Sequence, residues 1–251
     1  MAGLLRRATQ VIFACLLPLK GTLAIVSAGP KLWRTITRPF LYGSLGLAVL
    51  FALVGVLAVP FMLDLPVIVG GVMVLSSIMF IVIFNVFGDV IILYALEKRG
   101  VLERLRTVVG LEPIRKMGGA GKLNRKLAFA TARVLLMIVT LPLVGNSFLG
   151  KLVFALLNGF LYSLTLLDTP LLLVCLPGSI QQWRHAKKHV FAYASFGVVA
   201  FFLQLVPICN LLFSAGNAYG AALLFESLLE RGFLESSLRA SLLSEESFDD
   251  F

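Results

Sequence analysis

Long stretches without charge recur along this chain of 251 residues and constrain its fold more than any other feature. Five apolar runs carry at most one charged residue each, namely 39–63, 65–96, 134–150, 152–183 and 189–225. Uncharged apolar stretches of about 18 residues or more are typical of helices that cross a bilayer. Leu, Ala, Phe and Val fill both faces of each run, without the roughly ten-residue alternation of a membrane β-barrel. The sequence therefore predicts an all-α integral membrane protein.

The composition supports a fold that is embedded in lipid. Hydrophobic residues make up 59% of the chain and charged residues 14%, whereas an ordinary soluble domain has about 25% charged residues. The three cysteines are widely spaced in apolar sequence, so neither a disulfide framework nor a metal site is predicted. No grouping of histidine, serine and carboxylates resembles a catalytic constellation. We expect no enzyme activity, no metal and no nucleic-acid partner, and in place of a cofactor we expect bound phospholipid, including anionic lipid.

Positive charge is concentrated in three clusters that indicate the topology. Residues 6–38 hold six basic and no acidic residues, a second cluster lies within 98–126, and a third lies within 184–188. Basic segments stay on the cytoplasmic side of a membrane, or on the matrix side in mitochondria. Two long transmembrane helices over 39–63 and 67–97 would return the chain to that side, where both termini are predicted to lie.

Two broken helical hairpins that only partly penetrate the membrane are predicted for the remaining apolar sequence. One hairpin spans 127–167. The other spans Val190–Phe225, which as one helix would be ~54 Å long at 1.5 Å per residue. That length is too great for one crossing of the ~30 Å hydrocarbon core and too small for two. The residues expected at the breaks are Pro142 and Gly145 in the first hairpin, and Pro207, Asn210 and Gly220 in the second. The side-chain amides of Asn210 and Asn217 would form hydrogen bonds with the backbone N–H and C=O groups left unpaired at the break.

The chain is interpreted as one polytopic membrane domain over residues 1–251, with three segments outside the hydrocarbon core. Residues 1–36 form an interfacial amphipathic N-terminus with its basic side chains at the headgroups. Residues 98–126 form a basic polar loop, and residues 234–251 form an acidic tail. Basic side chains beside the membrane are predicted to bind lipid headgroups. They are Lys116, Lys122, Arg125, Lys126, Arg184, Lys187 and Lys188.

Three ionisable residues lie within or at the ends of the apolar runs, and such residues are functional-site hypotheses by default. Asp89 is interpreted either as a group for ion or proton passage or as a structural polar contact. Arg133 and Asp168 lie at opposite ends of the first hairpin on one side of the membrane, which allows an ion pair. Because Thr169–Pro170 follow Asp168, a helix N-cap at Asp168 is the alternative.

Short elements at characteristic spacings run from about Gly21 to Leu224. They are Pro30 and Pro39 in "PKLWRTITRP", "LPLVG" at Leu141–Gly145, "LDTP" at Leu167–Pro170, and Phe196–Gly197 followed by Pro207, Asn210 and Gly220–Ala221. As a set, and in this order, they resemble the CysZ sulfate permeases and the etoposide-induced transmembrane proteins. The resemblance implies an all-helical fold with two long transmembrane helices and two hairpins that only partly penetrate the bilayer.

The same resemblance implies an anion site at a Gly-Leu-Arg segment, where backbone amides and a guanidinium meet at a helix start. Its counterpart here is Lys31, Leu32 and Trp33, followed by Arg34. The glycine is absent and an aromatic residue occupies the arginine position, although two basic residues flank it. Lysine lacks the planar fork that suits oxyanions. The fold signature is therefore kept while the anion segment differs.

The sequence favours a non-catalytic accessory or scaffold subunit of a larger organellar assembly, in the mitochondrial inner membrane and in contact with lipid and other membrane subunits. The altered anion segment and the acid-free, arginine-bearing N-terminus support this interpretation. A permease for sulfate or another anion is the alternative function. An endoplasmic-reticulum membrane protein of trafficking or autophagy is the second alternative. The endoplasmic reticulum and the bacterial inner membrane are the alternative locations.

Overall fold

The computed structural model has helices as its only regular elements in the residues that it describes, which confirms the all-α prediction. The described residues are 2–29, 88–109, 128–129, 131–133, 135–140, 147–173, 179–204 and 210–230, with the single positions 33, 37, 41, 45 and 49. The helices with defined bounds are α1 (Ala2–Val26), α2 (Val101–Val109), α3 (Phe148–Leu173), α4 (Ser179–Lys188), α5 (Val190–Gln204) and α6 (Asn210–Glu230). Residues 88–98 and the stretch Thr131–Thr140 are also helical.

Two of the described helices are long and apolar enough to cross a membrane, over Ala8–Val26 in α1 and Phe148–Leu173 in α3. α1 exposes an apolar stripe along one face, formed by Ile12, Leu16, Leu19, Leu23 and Val26. Residues that recur every three or four positions share one side of a helix, so this stripe suits contact with lipid. The long helices predicted over 39–63 and 67–97 lie almost entirely outside the described residues.

α1 packs lengthwise against α6 and also contacts α5, and the interfacial position predicted for residues 1–36 stays a prediction. The contact with α6 is a crossing of small residues. A Cβ atom added at Gly21 would lie 2.6 Å from the amide nitrogen of Gly220, and one added at Gly220 would lie 2.7 Å from the carbonyl oxygen of Leu17. Small residues let two membrane helices approach closely. One face of α1 therefore packs closely against a helix partner.

α3 and α5 form a second close crossing, in antiparallel directions. A Cβ atom added at Gly159 would lie 2.6 Å from the amide nitrogen of Val198. On one side of this crossing the rings of Phe154 and Phe201 meet edge to face, with centroids 5.8 Å apart. α5 contacts α1 as well as α3, so it lies between the two candidate membrane spans.

α5 and α6 form a helical hairpin, and the predicted position of its break needs a correction. α5 ends at Gln204 and α6 begins at Asn210, and residues 205–209 lie outside the described residues. α6 then continues to Glu230, and Gly220 lies inside it at the crossing with α1 rather than at a break. Pro207, Pro142 and Gly145 lie outside the described residues. The partial penetration of both hairpins stays a prediction.

α3 also continues where a helix start was predicted. It runs from Phe148 through Pro170 to Leu173, so Asp168 lies within a helix and is not an N-cap. The hydroxyl of the next residue, Thr169, instead donates to the carboxylate of Asp89. The helical stretch 88–98 that carries Asp89 buries an apolar face in the core, formed by Ile91, Ile92, Ala95 and Leu96.

Charged residues collect at one end of the bundle, which we call the basic end. Arg99 forms an ion pair with Glu226 of α6, and Arg104 of α2 lies 3.7 Å from Glu230. α4, which carries several exposed basic residues, leads into α5 at this end. The described members of the second and third basic clusters thus lie at one end of the bundle, and their placement on one side of the membrane stays a prediction.

Candidate functional site

The side chain of Arg133 lies inside the bundle and is only 2% exposed. Its guanidinium carbon is 4.0 Å from the centroid of the Tyr162 ring and 6.0 Å from that of Phe201. Its Nη2 donates a hydrogen bond of 2.6 Å to Oε1 of Gln204, the last residue of α5. Aromatic faces attract a guanidinium through their quadrupole. α3 and α5 thus hold a cationic side chain between them.

The charge of Arg133 has no carboxylate partner within the described part of the chain. The ion pair with Asp168 that the sequence allowed is not formed, since the guanidinium bonds the neutral amide of Gln204. The Nε–H of Arg133 is buried without an acceptor among the described groups. An uncompensated buried cation is costly. Because a guanidinium presents donors in a planar fork that matches an oxyanion, this group has the chemistry of an anion ligand.

Polar residues occupy one buried face of α3 beside Arg133. Asn158, Tyr162, Thr165 and Thr169 follow one another at intervals of four, three and four residues, and all are buried. We call these four residues the polar stripe. At 1.5 Å per residue the stripe extends over about 16 Å of the helix, which is roughly half of a ~30 Å hydrocarbon core. Polar residues inside a span are expensive in lipid and mark ion and substrate pathways.

Side chains from other helices contact the polar stripe, with the carboxylate of Asp89 at Thr169 and with neutral groups at Asn158 and Tyr162. Nδ2 of Asn158 donates to the hydroxyl of Thr140 over 3.0 Å. Nδ2 of Asn217 in α6 donates to the carbonyl of Ala200 over 2.8 Å and to the hydroxyl of Tyr162 over 3.3 Å. The Oδ1 atoms of both asparagines are buried without a donor among the groups that the structure describes. Buried water satisfies polar atoms of this kind, so the interior offers donors and acceptors to a hydrated ion.

A family model described as sulfate transporter CysZ/etoposide-induced protein 2.4 matches residues 19–214. The chain belongs to this family. The match confirms the resemblance seen in the short sequence elements, and its range includes Arg133 and the whole polar stripe. No curated protein matches the chain. Family membership and the apolar helices α1 and α3 together support the prediction that the chain is an integral membrane protein.

The predicted anion segment of this family member is described at one position only. Trp33 is 39% exposed, and its carbonyl accepts a hydrogen bond of 2.6 Å from Thr37. Lys31, Leu32 and Arg34 lie outside the described residues. The anion site at this segment therefore stays a prediction. Within the described part of the bundle interior, the guanidinium that could contact an anion is that of Arg133.

The other predicted site residues fall into separate parts of the structure. Asp89 accepts the hydroxyl hydrogen of Thr169 at one end of the polar stripe, and Asp168 is 1% exposed one residue before it. Arg184, Lys187 and Lys188 are exposed on α4 at the basic end. Lys116, Lys122, Arg125 and Lys126 lie outside the described residues. Among the residues with a described position, no three His, Cys, Asp or Glu side chains lie close enough to share a metal ion.

His185 is a buried titratable residue at the basic end. Its ring lies 4.8 Å from that of His189, and its Nδ1 lies 3.1 Å from the hydroxyl of Tyr193. Burial, reinforced by the positive charges of His189 and Lys188, lowers the pKa of His185 to about 4. The imidazole is therefore neutral at pH 7.

The sequence interpretation missed the polar stripe and Gln204. A signal for the stripe is present, because its polar residues recur at helical spacing in an otherwise apolar run. No comparable signal exists for Gln204, which is 71 positions from Arg133 along the chain. Their contact depends on how α5 packs against its neighbours.

Proposed function

We propose that this protein binds a small inorganic oxyanion, sulfate in the first instance, within the membrane and carries it across, with Arg133 as the anion ligand. One observation carries the proposal: a guanidinium that is almost fully buried keeps an Nε–H without an acceptor in the described structure, beside the polar stripe. The family description, which names a sulfate transporter, supports the same class of substrate. The proposal includes no catalytic step.

In this mechanism Arg133 attracts the anion and neutral groups allow its release. The Nε and Nη donors of the guanidinium form the fork that binds two oxygens of sulfate. The ring of Tyr162 and the amide of Gln204 lie against the guanidinium and supply uncharged contacts. A conducting site must bind an ion well enough to admit it and weakly enough to release it. A guanidinium whose described contacts are the neutral groups of Tyr162, Phe201 and Gln204 meets both conditions.

Uptake of radiolabelled sulfate by liposomes that contain the purified protein tests the proposal. We expect Arg133→Gln to lower uptake at least tenfold, because a hydrogen bond to a charged group contributes about 1.5–3 kcal/mol and ~1.4 kcal/mol corresponds to a factor of ten. Arg133→Lys keeps the charge without the fork and is expected to be intermediate. The control, Arg104→Gln, removes a surface charge at the basic end and is expected to leave uptake nearly unchanged.

The outcomes test separately whether Arg133 is the anion ligand and whether the protein transports sulfate. Equal sulfate uptake by the wild type and by folded Arg133→Gln would exclude Arg133 as the ligand. Absence of uptake by the well-folded wild type would exclude the permease.

A non-catalytic accessory or scaffold subunit of a mitochondrial inner-membrane assembly is the second candidate. The departure from the family's anion segment favours it, since Trp33 stands where the resemblance places the arginine. In that role the chain would contact other membrane subunits and anionic lipid. Extraction in mild detergent at native abundance, followed by sizing, tests this candidate. Migration only within a large hetero-complex, without sulfate uptake, supports the subunit, whereas a small homo-oligomer with uptake excludes it.

An endoplasmic-reticulum role in trafficking or autophagy is the remaining alternative, and it differs first in location. Membrane fractionation separates it from the mitochondrial candidate, because the two predict enrichment in different organelles. Recovery in the mitochondrial inner membrane would exclude the reticular role.

A further inference from the structure

A cavity of about 240 Å³ lies at the basic end, between α1, the start of α5 and the last turns of α6. Gln10 lines it from α1 and Ser227 lines it from α6. Lys187, Lys188 and His189, at the junction of α4 and α5, form the third wall. Three helices from opposite ends of the chain thus enclose one cavity, so it exists only in the folded bundle.

The cavity has a positive electrostatic character. Lys187 and Lys188 are exposed side chains, and no acidic residue is among the described residues that line it. Glu226 precedes the lining residue Ser227, but its carboxylate is paired with Arg99. The ammonium group of lysine is a compact point charge that commonly binds phosphate. These features favour an anionic ligand.

The start of α5 adds backbone donors to the same wall. Val190, Phe191 and Ala192 line the cavity. The first amides of a helix lack intrahelical acceptors, and the helix dipole favours a negative charge beside them. The carbonyl of His189 accepts from the amides of Ala192 and Tyr193, at 3.0 and 3.2 Å. The amides of Val190 and Phe191 therefore stand at the helix start, next to the two lysines.

An apolar surface adjoins these cationic groups. Phe191 is 56% exposed and Val190 is 40% exposed, while Phe13, Leu224 and Leu228 line the cavity itself. Free phosphate would use only the cationic part of this surface. A ligand that uses both parts carries an anionic group and hydrocarbon on one molecule, as a phospholipid does at the edge of a bilayer.

We propose that this cavity binds the phosphodiester headgroup of an anionic phospholipid, held by Lys187, Lys188 and the first amides of α5. The acyl chains leave the cavity along Phe191. The bound lipid joins α1, α5 and α6 at the basic end, so it stabilises the bundle. This site is separate from Arg133 and does not depend on anion transport.

Titration of the detergent-solubilised full-length protein with phosphatidylglycerol or phosphatidylcholine, followed by native mass spectrometry, tests the site. We expect the wild type to prefer phosphatidylglycerol. The double variant Lys187→Gln/Lys188→Gln is expected to lose about thirtyfold in affinity for phosphatidylglycerol, which corresponds to ~1 kcal/mol for each lysine. The matched control is Lys98→Gln/Arg104→Gln, which removes two exposed charges at the same end from residues that do not line the cavity. It is expected to lose much less.

A second variant tests the cavity independently of charge. Ser227→Phe is expected to fill the space and lower lipid affinity while both lysines stay in place. Equal losses in the two double variants would overturn the proposal, since they would indicate attraction by diffuse surface charge. Equal binding of both lipids by the wild type would also overturn it. Complete displacement of phosphatidylglycerol by millimolar inorganic phosphate would identify free phosphate, rather than lipid, as the ligand.

Discussion

Replacing Gly159 by alanine is expected to push α3 and α5 apart. A Cβ atom at this position would lie 2.6 Å from the amide nitrogen of Val198, 2.7 Å from the carbonyl carbon of Gly197 and 2.8 Å from Cα of Val198. Non-bonded carbon atoms pack at about 3.5–4.0 Å. All three obstructing atoms belong to the backbone and cannot rotate away, so the helices must separate by ~1 Å at the crossing.

The net cost of this separation is expected to be ~2 kcal/mol. Overpacking of a well-packed interior costs about 1–3 kcal/mol, and obstruction by rigid backbone belongs at the upper end of that range. The movement also weakens neighbouring contacts, including the edge-to-face contact of Phe154 with Phe201. Alanine is a better helix former than glycine by about 1 kcal/mol, which offsets part of the loss. A net loss of this size lowers Tm by roughly 4–8 °C in a domain of 150–250 residues.

Thermal unfolding in mild detergent, followed by tryptophan fluorescence, measures the effect. Gly88→Ala is the matched control, because Gly88 is also helical and buried, and among the described residues its added Cβ would meet the Cβ of Ala218 at 3.9 Å. That is an ordinary van der Waals contact and the nearest one among the described residues, so the control is expected to keep or slightly raise Tm. If Gly159→Ala melts together with the control and the wild type, the close crossing of α3 and α5 is refuted.

Three further substitutions test the polar interior and the basic end. Arg133→Met is expected to abolish sulfate uptake yet change the free energy of unfolding by no more than ~1 kcal/mol, because removal of an uncompensated buried charge offsets the lost hydrogen bond; a severe loss of stability would contradict this. Thr169→Val removes the hydrogen bond to Asp89 and is expected to cost about 1.5–3 kcal/mol in thermal unfolding. Thr165→Val, whose hydroxyl bonds a carbonyl of its own helix, should cost less, and equal losses would refute the Asp89 contact. The pKa of His185 is about 4, against ~6.5 when unfolded, so the unfolded state binds more protons between these values. The contribution of His185 to stability is fully present above pH 6.5 and is lost as the pH falls towards 4, by on the order of 3 kcal/mol. His185→Gln should therefore flatten the profile of Tm against pH. An unchanged profile would exclude His185 as the source of the pH dependence.

Arg133 shows how far sequence reasoning reaches into the candidate site. An ionisable residue beside a long apolar run is noticeable without any structure. The partner of Arg133 cannot be recognised in this way, because charge alone favours Asp168 while the structure pairs Arg133 with Gln204. Two opposite charges on one side of a membrane can form an ion pair only if each helix is rotated so that its charged side chain points towards the other. That orientation is a property of packing, which no single segment contains.

The role of Gly220 shows the same limit for the fold. A glycine near a proline and an asparagine in a long apolar run predicts a break in the helix, and two separate helices do lie nearby, α5 ending at Gln204 and α6 beginning at Asn210. Gly220 itself serves the contact with Leu17 of α1. A glycine in a turn and a glycine at a helix crossing look identical in sequence, since only the second depends on a backbone from the other end of the chain.

The sequence by itself determined that this protein is helical, lies in a membrane and belongs to its family, because hydrophobicity and helical period are local properties and the family elements keep their order along the chain. It also identified Arg133 as an unusual residue for its surroundings. Only the tertiary structure decided that the polar face of α3 is buried beside that guanidinium, and that α1, α5 and α6 enclose a cavity lined by Lys187 and Lys188. Both features require helices distant in sequence to pack within a few ångströms of one another, and the close approach of their glycines sets that distance.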